Sequence, residues 1–282
     1  MRLTSPFRLA LIVFALAALA LPLAASGTFS STSFSGTLAR TMYATDSAGR
    51  LLTFSAAFPQ LVRTQQITGL PAGVSLRAID FRPRTGDLYA LGSDRVVYRV
   101  NPQTAIAVAE GASDPNVMLA SANIGFDFNP TVDKIRVTND AEDNLRLNPD
   151  EGNQLAKDTS LTPAGVDVVG SAYINSSFSA TLAAATELYA LDIASSPDTL
   201  WIQRPANAGT LIMPKSLSFD VGSDAGFDIA GTNNVGYVAG TQAGNAGAAL
   251  YRVDLQTGQS TRVGRIGNGR LTITGLAAWQ DQ

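Results

Sequence analysis

The sequence predicts an all-β ring, a β-propeller of five four-stranded blades closed by a C-terminal strand that joins the N-terminal blade, with six blades as the alternative. Three observations predict it. A strand motif recurs: Leu88-Tyr89-Ala90-Leu91 returns as Leu188-Tyr189-Ala190-Leu191, with related segments around Tyr43, Arg136 and Tyr237. The anchors at 43, 89, 136, 189 and 237 lie 46, 47, 53 and 48 residues apart, the period of stacked supersecondary units. An Asp precedes the anchor by nine residues in three units, Asp80 before Tyr89, Asp127 before Arg136 and Asp228 before Tyr237.

Each unit reads in the same order. An inner strand comes first, as in Ile79-Asp80-Phe81, Phe126-Asp127-Phe128 and Phe227-Asp228-Ile229, and the anchor strand follows. A third, alternating strand comes next: Val97 to Val100, Leu145 to Leu147, Leu200 to Ile202 and Leu250 to Val253. Turn chemistry then reverses the chain at Asn101-Pro102-Gln103-Thr104, Asn148-Pro149-Asp150-Glu151-Gly152 and Asp254-Leu255-Gln256-Thr257-Gly258. A fourth short strand closes the unit, as at Gln259 to Val263. No segment of this region keeps a convincing 3.6-residue period.

The ends fix the blade count. The first unit, around Tyr43, lacks an inner strand, and the C-terminus carries a surplus one at Ile273 to Trp279. Placing that strand innermost in the first blade closes the ring and removes its free inner edge. In the fourth unit the inner strand Gly170-Ser171-Ala172-Tyr173 is followed by extra residues, so Asn175 to Glu187 contains an insertion, either a binding loop or a longer hairpin.

Composition restricts the chemistry. Among 282 residues there is no Cys and no His. Disulfides, thiolate zinc sites, lipidation through cysteine and Ser-His-Asp triads are therefore excluded. Of 23 acids, 19 are Asp, a bias toward turns over helices. Residues 1–26 read as a signal peptide, with Arg2 and Arg8, the apolar run Leu9 to Leu21 and a small-residue exit at Leu23-Ala24-Ala25-Ser26. Pro22 interrupts a stretch already short for a membrane span. The expected organisation is signal peptide 1–26, linker 27–40 and a single propeller domain 41–282, exported to the periplasm or the extracellular space. Without residues 1–26 the balance is 18 basic against 23 acidic, which argues against nucleic acid or a membrane surface as partner.

The stretch Ile124-Gly125-Phe126-Asp127-Phe128-Asn129-Pro130, with Asp133-Lys134-Ile135-Arg136-Val137 and Asn144-Leu145-Arg146-Leu147-Asn148-Pro149, resembles the signature of secreted bacterial proteins known as domain of unknown function 4394. Ala172-Tyr173-Ile174-Asn175-Ser176, Thr186-Glu187-Leu188-Tyr189, Gly226-Phe227-Asp228-Ile229 and Ile273-Thr274-Gly275-Leu276-Ala277 extend the resemblance from Thr41 to Trp279. It implies an exported propeller-like domain and carries over no catalytic residue.

Asp80, Asp127 and Asp228 are the candidate site. Converging near the axis, they would ligate Ca²⁺ or Mg²⁺, which need only oxygen ligands. Strand alternation instead turns each Asp toward a neighbouring blade, where it would accept backbone hydrogen bonds in a structural role, and this reading has precedence. Ala172 and Ala277 stand at the equivalent places in the other two blades. The acidic run Asn139 to Asn144 lacks the spacing of a calcium loop and reads as a hairpin turn. Asp220 and Asp224, with Val221-Gly222-Ser223 and Gly226, read as a turn leading into the Asp228 strand, and the glycines of Gly240 to Gly247 as a flexible hairpin without a P-loop Lys. Tyr89, Tyr98, Tyr189, Trp201, Tyr237 and Tyr251 are packing residues by their repeated positions, which leaves Phe58 and Phe178 as aromatic binding candidates. Three functions fit: a non-catalytic binding module for a protein, glycan or matrix ligand; a lactonase-like metal-dependent hydrolase; and a purely structural ring.

Overall fold

The computed structural model describes residues 40–117, 123–231, 233–242, 247–268 and 270–280. The expected signal peptide and residues 27–39 of the expected linker lie outside the described residues. All twenty strands fall in the unit Phe34–Gln282.

Five antiparallel four-stranded sheets form the blades. Blade 1 contains β1 (Thr41–Asp46), β2 (Arg50–Ser55) and β3 (Phe58–Gln66), with β20 (Ile273–Ala278) added on its inner side in the order β20-β1-β2-β3. Blade 2 is β4 (Leu76–Phe81), β5 (Leu88–Gly92), β6 (Val97–Val100) and β7 (Ala107–Ala109). Blade 3 is β8 (Ile124–Asn129), β9 (Lys134–Asn139), β10 (Asn144–Leu147) and β11 (Gln154–Lys157). Blade 4 is β12 (Val168–Tyr173), β13 (Leu188–Asp192), β14 (Thr199–Gln203) and β15 (Leu211–Ser216). Blade 5 is β16 (Val221–Ala230), β17 (Val235–Gln242), β18 (Ala249–Val253) and β19 (Ser260–Arg265). Successive inner strands β20, β4, β8, β12 and β16 pack side by side, and β16 returns to β20. The five-blade count and the closure by the terminal strand are as the sequence predicts.

The repeat is kept to the residue. Asp80 pairs with Tyr89, Asp127 with Arg136, Ala172 with Tyr189, Asp228 with Tyr237 and Ala277 with Tyr43. The third-to-fourth-strand turns repeat as well: Asn101 Oδ1 accepts from the Gln103 and Thr104 N–H groups, and Asp254 Oδ1 from those of Gln256 and Thr257. At Asp220 to Gly226 the sequence reading needs correction. Val221 to Gly226 already belong to β16, and a register shift between Val221 and Ala225 accommodates the residues read as a turn. The Gly240 to Gly247 reading also needs correction: Gly240 to Gln242 belong to β17, paired with β16, and residues 243–246 lie outside the described residues.

Apolar side chains fill four of the five blade interfaces. Ile79 and Phe81 pack with Tyr43, Leu51 and Ala277 between blades 1 and 2, while Tyr89 packs with Phe126 and Phe128 between blades 2 and 3. Blades 4 and 5 share Ala172, Tyr189, Phe227 and Tyr251, and blades 5 and 1 share Tyr237, Ala239, Met42 and Leu276. Near the axis the inner strands leave little or no room two residues before the Asp position, which is Gly125, Gly170, Gly226 or Gly275 in four blades and Ala78 in blade 2. A Cβ on Gly226 would lie 2.5 Å from the Leu276 nitrogen, and one on Gly125 2.6 Å from that of Ser171.

This close approach predicts that Gly226→Ala lowers the urea-unfolding free energy by about 1–3 kcal/mol through overpacking against backbone. Gly222→Ala is its control: the added Cβ finds its nearest atom at 3.8 Å, and the variant unfolds like the parent.

Candidate functional site

Asp80, Asp127 and Asp228 sit at one level of the axis, each two or three per cent exposed. One oxygen from each lies within 4.8 Å of one from each of the others. The expected convergence and the expected tie to a neighbouring blade therefore occur together.

The hydrogen bonds explain how. An inner strand pairs on one side only, so the N–H after each Asp or Ala position faces the axis without a partner in its sheet. Asp80 Oδ2 accepts from Phe128 of blade 3 (2.8 Å), Asp127 Oδ1 from Tyr173 of blade 4 (3.0 Å) and Asp228 Oδ2 from Ala278 of blade 1 (2.6 Å). Each carboxylate thus holds the next inner strand. Where the preceding blade has Ala instead of Asp, the carboxylate also holds its own following N–H: Asp80 Oδ1 accepts from Phe81 (2.7 Å) and Asp228 Oδ1 from Ile229 (2.5 Å). All five axial N–H groups are served by five of the six oxygens. The sixth, Asp127 Oδ2, accepts no hydrogen bond among the described residues.

Three anions in so dry a place disfavour full ionisation. Burial pushes Asp80 and Asp127 well above the ordinary carboxylate range, reinforced by the neighbouring carboxylates, and lifts Asp228 to about 7. The backbone N–H bonds act in the opposite direction. A carboxylate set of this kind has the donor chemistry of a Ca²⁺ or Mg²⁺ site, although those ions take six or more oxygen ligands.

The blade 4 insertion lies across the axis on the side where the inner strands end. Phe178 packs edge-on against Phe81 (5.9 Å) and Trp279 (4.8 Å), tying it to blades 2 and 1. Ser179 N–H donates to Pro83 O (3.0 Å) and Ala183 N–H to Pro130 O (2.9 Å), in the first turns of blades 2 and 3. Asn175 N–H donates to Asn234 Oδ1 (2.9 Å) in blade 5. One segment therefore meets all four other blades. The two expectations for it, a binding loop or a longer hairpin, both leave out this bracing role, in which Phe178 packs against Phe81 and Trp279. Phe58 is exposed at the start of the outer strand β3.

Sequence reasoning also missed Trp279, 38% exposed on the braced face. It lines a cleft between blades 1 and 2 with Asp87, Arg99, Gln103, Ile106 and Val108. Its position two residues beyond the Ala277 position was readable, because Ile174 occupies the same place in blade 4 and lines the corresponding cleft between blades 4 and 5. The acidic run Asn139 to Asn144 is the β9–β10 hairpin, with Asn139 Oδ1 accepting from Ala141 and Asp143 N–H groups.

Twenty strands in five radial sheets, with carboxylates binding the inner edges together, define a five-bladed β-propeller. The chain belongs to the family described as Domain of unknown function (DUF4394), whose model matches residues 50–277. Among solved structures it is similar to YCF48 bound to D1 peptide, with 13% identity, TM-score 0.37 and coverage of 79% of this chain and 63% of that one. It is also similar to a structural genomics protein of unknown function from Bacteroides thetaiotaomicron VPI-5482, at 12% identity and TM-score 0.47, covering 79% of this chain and 57% of that one. A third is the Dos1 propeller, at 10% identity and TM-score 0.39, covering 76% of this chain and 54% of that one. The chain thus spans less than two thirds of each. No curated protein matches.

The unequal use of the six oxygens predicts an asymmetry among isosteric variants. Asp80→Asn or Asp228→Asn forces an amide NH₂ against a backbone N–H and lowers unfolding free energy by about 1–3 kcal/mol. Asp127→Asn keeps its bond from Tyr173 and turns its NH₂ toward the other carboxylates, so its stability at neutral pH equals or exceeds that of the parent. Since burial raises all three folded pKa values above the unfolded Asp value of 3.8, that of Asp228 to about 7, the folded chain holds extra protons as pH rises from 3.8 to the raised folded values. Stability falls as pH rises through this window, and urea midpoints measured across it decline less steeply in Asp127→Asn. Asp198, also raised to about 7 by burial, contributes in the same direction and is separated by Asp198→Asn.

Proposed function

We propose that the protein is an exported, non-catalytic binding module that engages a protein, glycan or matrix ligand through its braced face. One observation carries this reading: the carboxylates are occupied by backbone N–H groups beneath the blade 4 insertion, while the clefts between blades open on the same face. The cleft holding Trp279 combines an exposed aromatic ring with Arg99, Asp87 and Gln103, the pairing of apolar platform and planar polar groups that suits a glycan. Among the described residues no helix is long and apolar enough to cross a membrane.

The competing reading is a Ca²⁺- or Mg²⁺-dependent hydrolase that polarises a carbonyl at Asp80, Asp127 and Asp228, and their 4.8 Å convergence is its support. It requires oxygens free to ligate and a path for substrate. The occupied oxygens and the overlying insertion favour the binding module, and the three Asp residues then act as structural ties.

Two measurements test the choice. Glycan arrays and pull-downs from cell-surface or matrix extracts should return a ligand that is lost in the double variant Ile106→Asp/Val108→Asp, whose side chains are 48% and 54% exposed in the cleft. No retained ligand, or one indifferent to these changes, defeats the proposal. Calorimetry with Ca²⁺ and Mg²⁺ should give no saturable heat; binding present in the parent and absent in Asp127→Ala would favour the hydrolase instead.

A further inference from the structure

The interface between blades 3 and 4 departs from the other four. Where four blades carry Tyr at the anchor, blade 3 carries Arg136, only 2% exposed. Arg146 stands directly opposite it on the adjacent strand, and Lys134 lies two residues earlier on β9. Alternation places all three on one face of blade 3. Like charges directly opposite on a sheet repel, and a buried guanidinium loses its hydration, so the arrangement needs compensation.

A single carboxylate supplies it. Asp158 accepts from Arg136 Nη1 (2.7 Å) and, through both oxygens, from Arg146 (2.8 and 2.9 Å). Arg136 also donates to Asn144 Oδ1 (2.6 Å), Asn207 Oδ1 (2.6 Å) and the Tyr173 hydroxyl (3.4 Å). Lys134 makes no ion pair among the described residues, and the nearby Asp150 is already engaged by Arg82 (2.6 Å). Three cations therefore share one full counter-charge.

Lys134, Arg136, Arg146, Tyr173 and Asn207 line a cavity of about 130 Å³ on the braced face, together with Asn129 and the apolar Val132 and Ile135. Its walls have donors to spare. The Oδ1 atoms of Asn129 and Asn207 are taken by Thr131 and Arg136, while their NH₂ groups, the Tyr173 hydroxyl proton and the Lys134 ammonium have no acceptor among the described residues. A pocket rich in donors, short of acceptors and net positive complements an oxyanion.

We infer that this pocket binds a small oxyanion, either free or as the phosphate, sulfate or carboxylate group of a larger ligand, held by Lys134, Tyr173, Asn129 and Asn207 over the Arg136–Arg146 pair. The inference deepens the binding-module reading and rests on it only for the larger ligand.

The test uses the purified chain with sodium phosphate, sulfate and acetate, titrated by calorimetry and thermal shift against chloride at matched ionic strength. Saturable binding of at least one oxyanion is expected, and the preferred anion separates tetrahedral from carboxylate recognition. Asn207→Asp keeps the acceptor for Arg136 and replaces the NH₂ with negative charge, so affinity should fall about tenfold or more while the fold persists. Lys134→Met, at a half-buried position outside the axial carboxylate cluster, should weaken binding to a similar degree. Binding no stronger than that of chloride, or equal in the parent and both variants, overturns the inference. Neither outcome depends on whether the extract pull-downs succeed.

Discussion

Five strand edges meeting around a narrow axis impose the constraint on which the rest of the ring depends. Each edge presents an N–H at the same level, where glycine or alanine is needed merely for the backbones to pass. An unmet buried donor costs about 1–3 kcal/mol, so five unmet donors would consume much of the stability of an ordinary domain. Carboxylates meet this need with two acceptor oxygens each, and three is the smallest number that covers five donors. Five would bury two further charges to no purpose. The Ala at positions 172 and 277 is therefore part of the solution, because the following blade's Asp turns its second oxygen back to its own strand.

That economy explains what was legible in the sequence. The period, the nine-residue spacing and the surplus C-terminal strand are local or arithmetic features, and strand pairing in register follows directly from them. The destination of the Asp side chains was legible only as a choice between axis and neighbour, because alternation gives the face of a strand and not the distance to the next one. In a ring this tight the two destinations coincide. The glycine two residues before the Asp position in four of the five blades carried the missing information, since its repetition at 125, 170, 226 and 275 signals how closely the inner strands approach.

Features that break the repeat were harder to read. The insertion after Tyr173 announces itself by spacing, but its path across four other blades depends on contacts between residues 53 to 101 positions apart, such as Ser179 with Pro83. Trp279 has the same origin. It lies two residues past the repeat position and packs on Phe178 of the insertion as well as on Phe81 and Tyr43. Arg136 reads in the sequence as one anchor among five, although its charge cannot be buried on the same terms as the Tyr of the other blades.

The departures have a common direction. A ring that needed only to stand could have used tyrosine at all five anchors and apolar packing at all five interfaces, as it does at four. Replacing that packing with Arg136, Asn144, Asp158 and Asn207 exchanges apolar burial for a polar network whose net worth to stability is small, since desolvation offsets most of the attraction. A network of that kind is better suited to fixing side chains in place than to adding stability. What it fixes is a set of donors on the same face as the insertion and the Trp279 cleft. The regular part of the repeat thus builds the ring, and its irregular part equips one face of it.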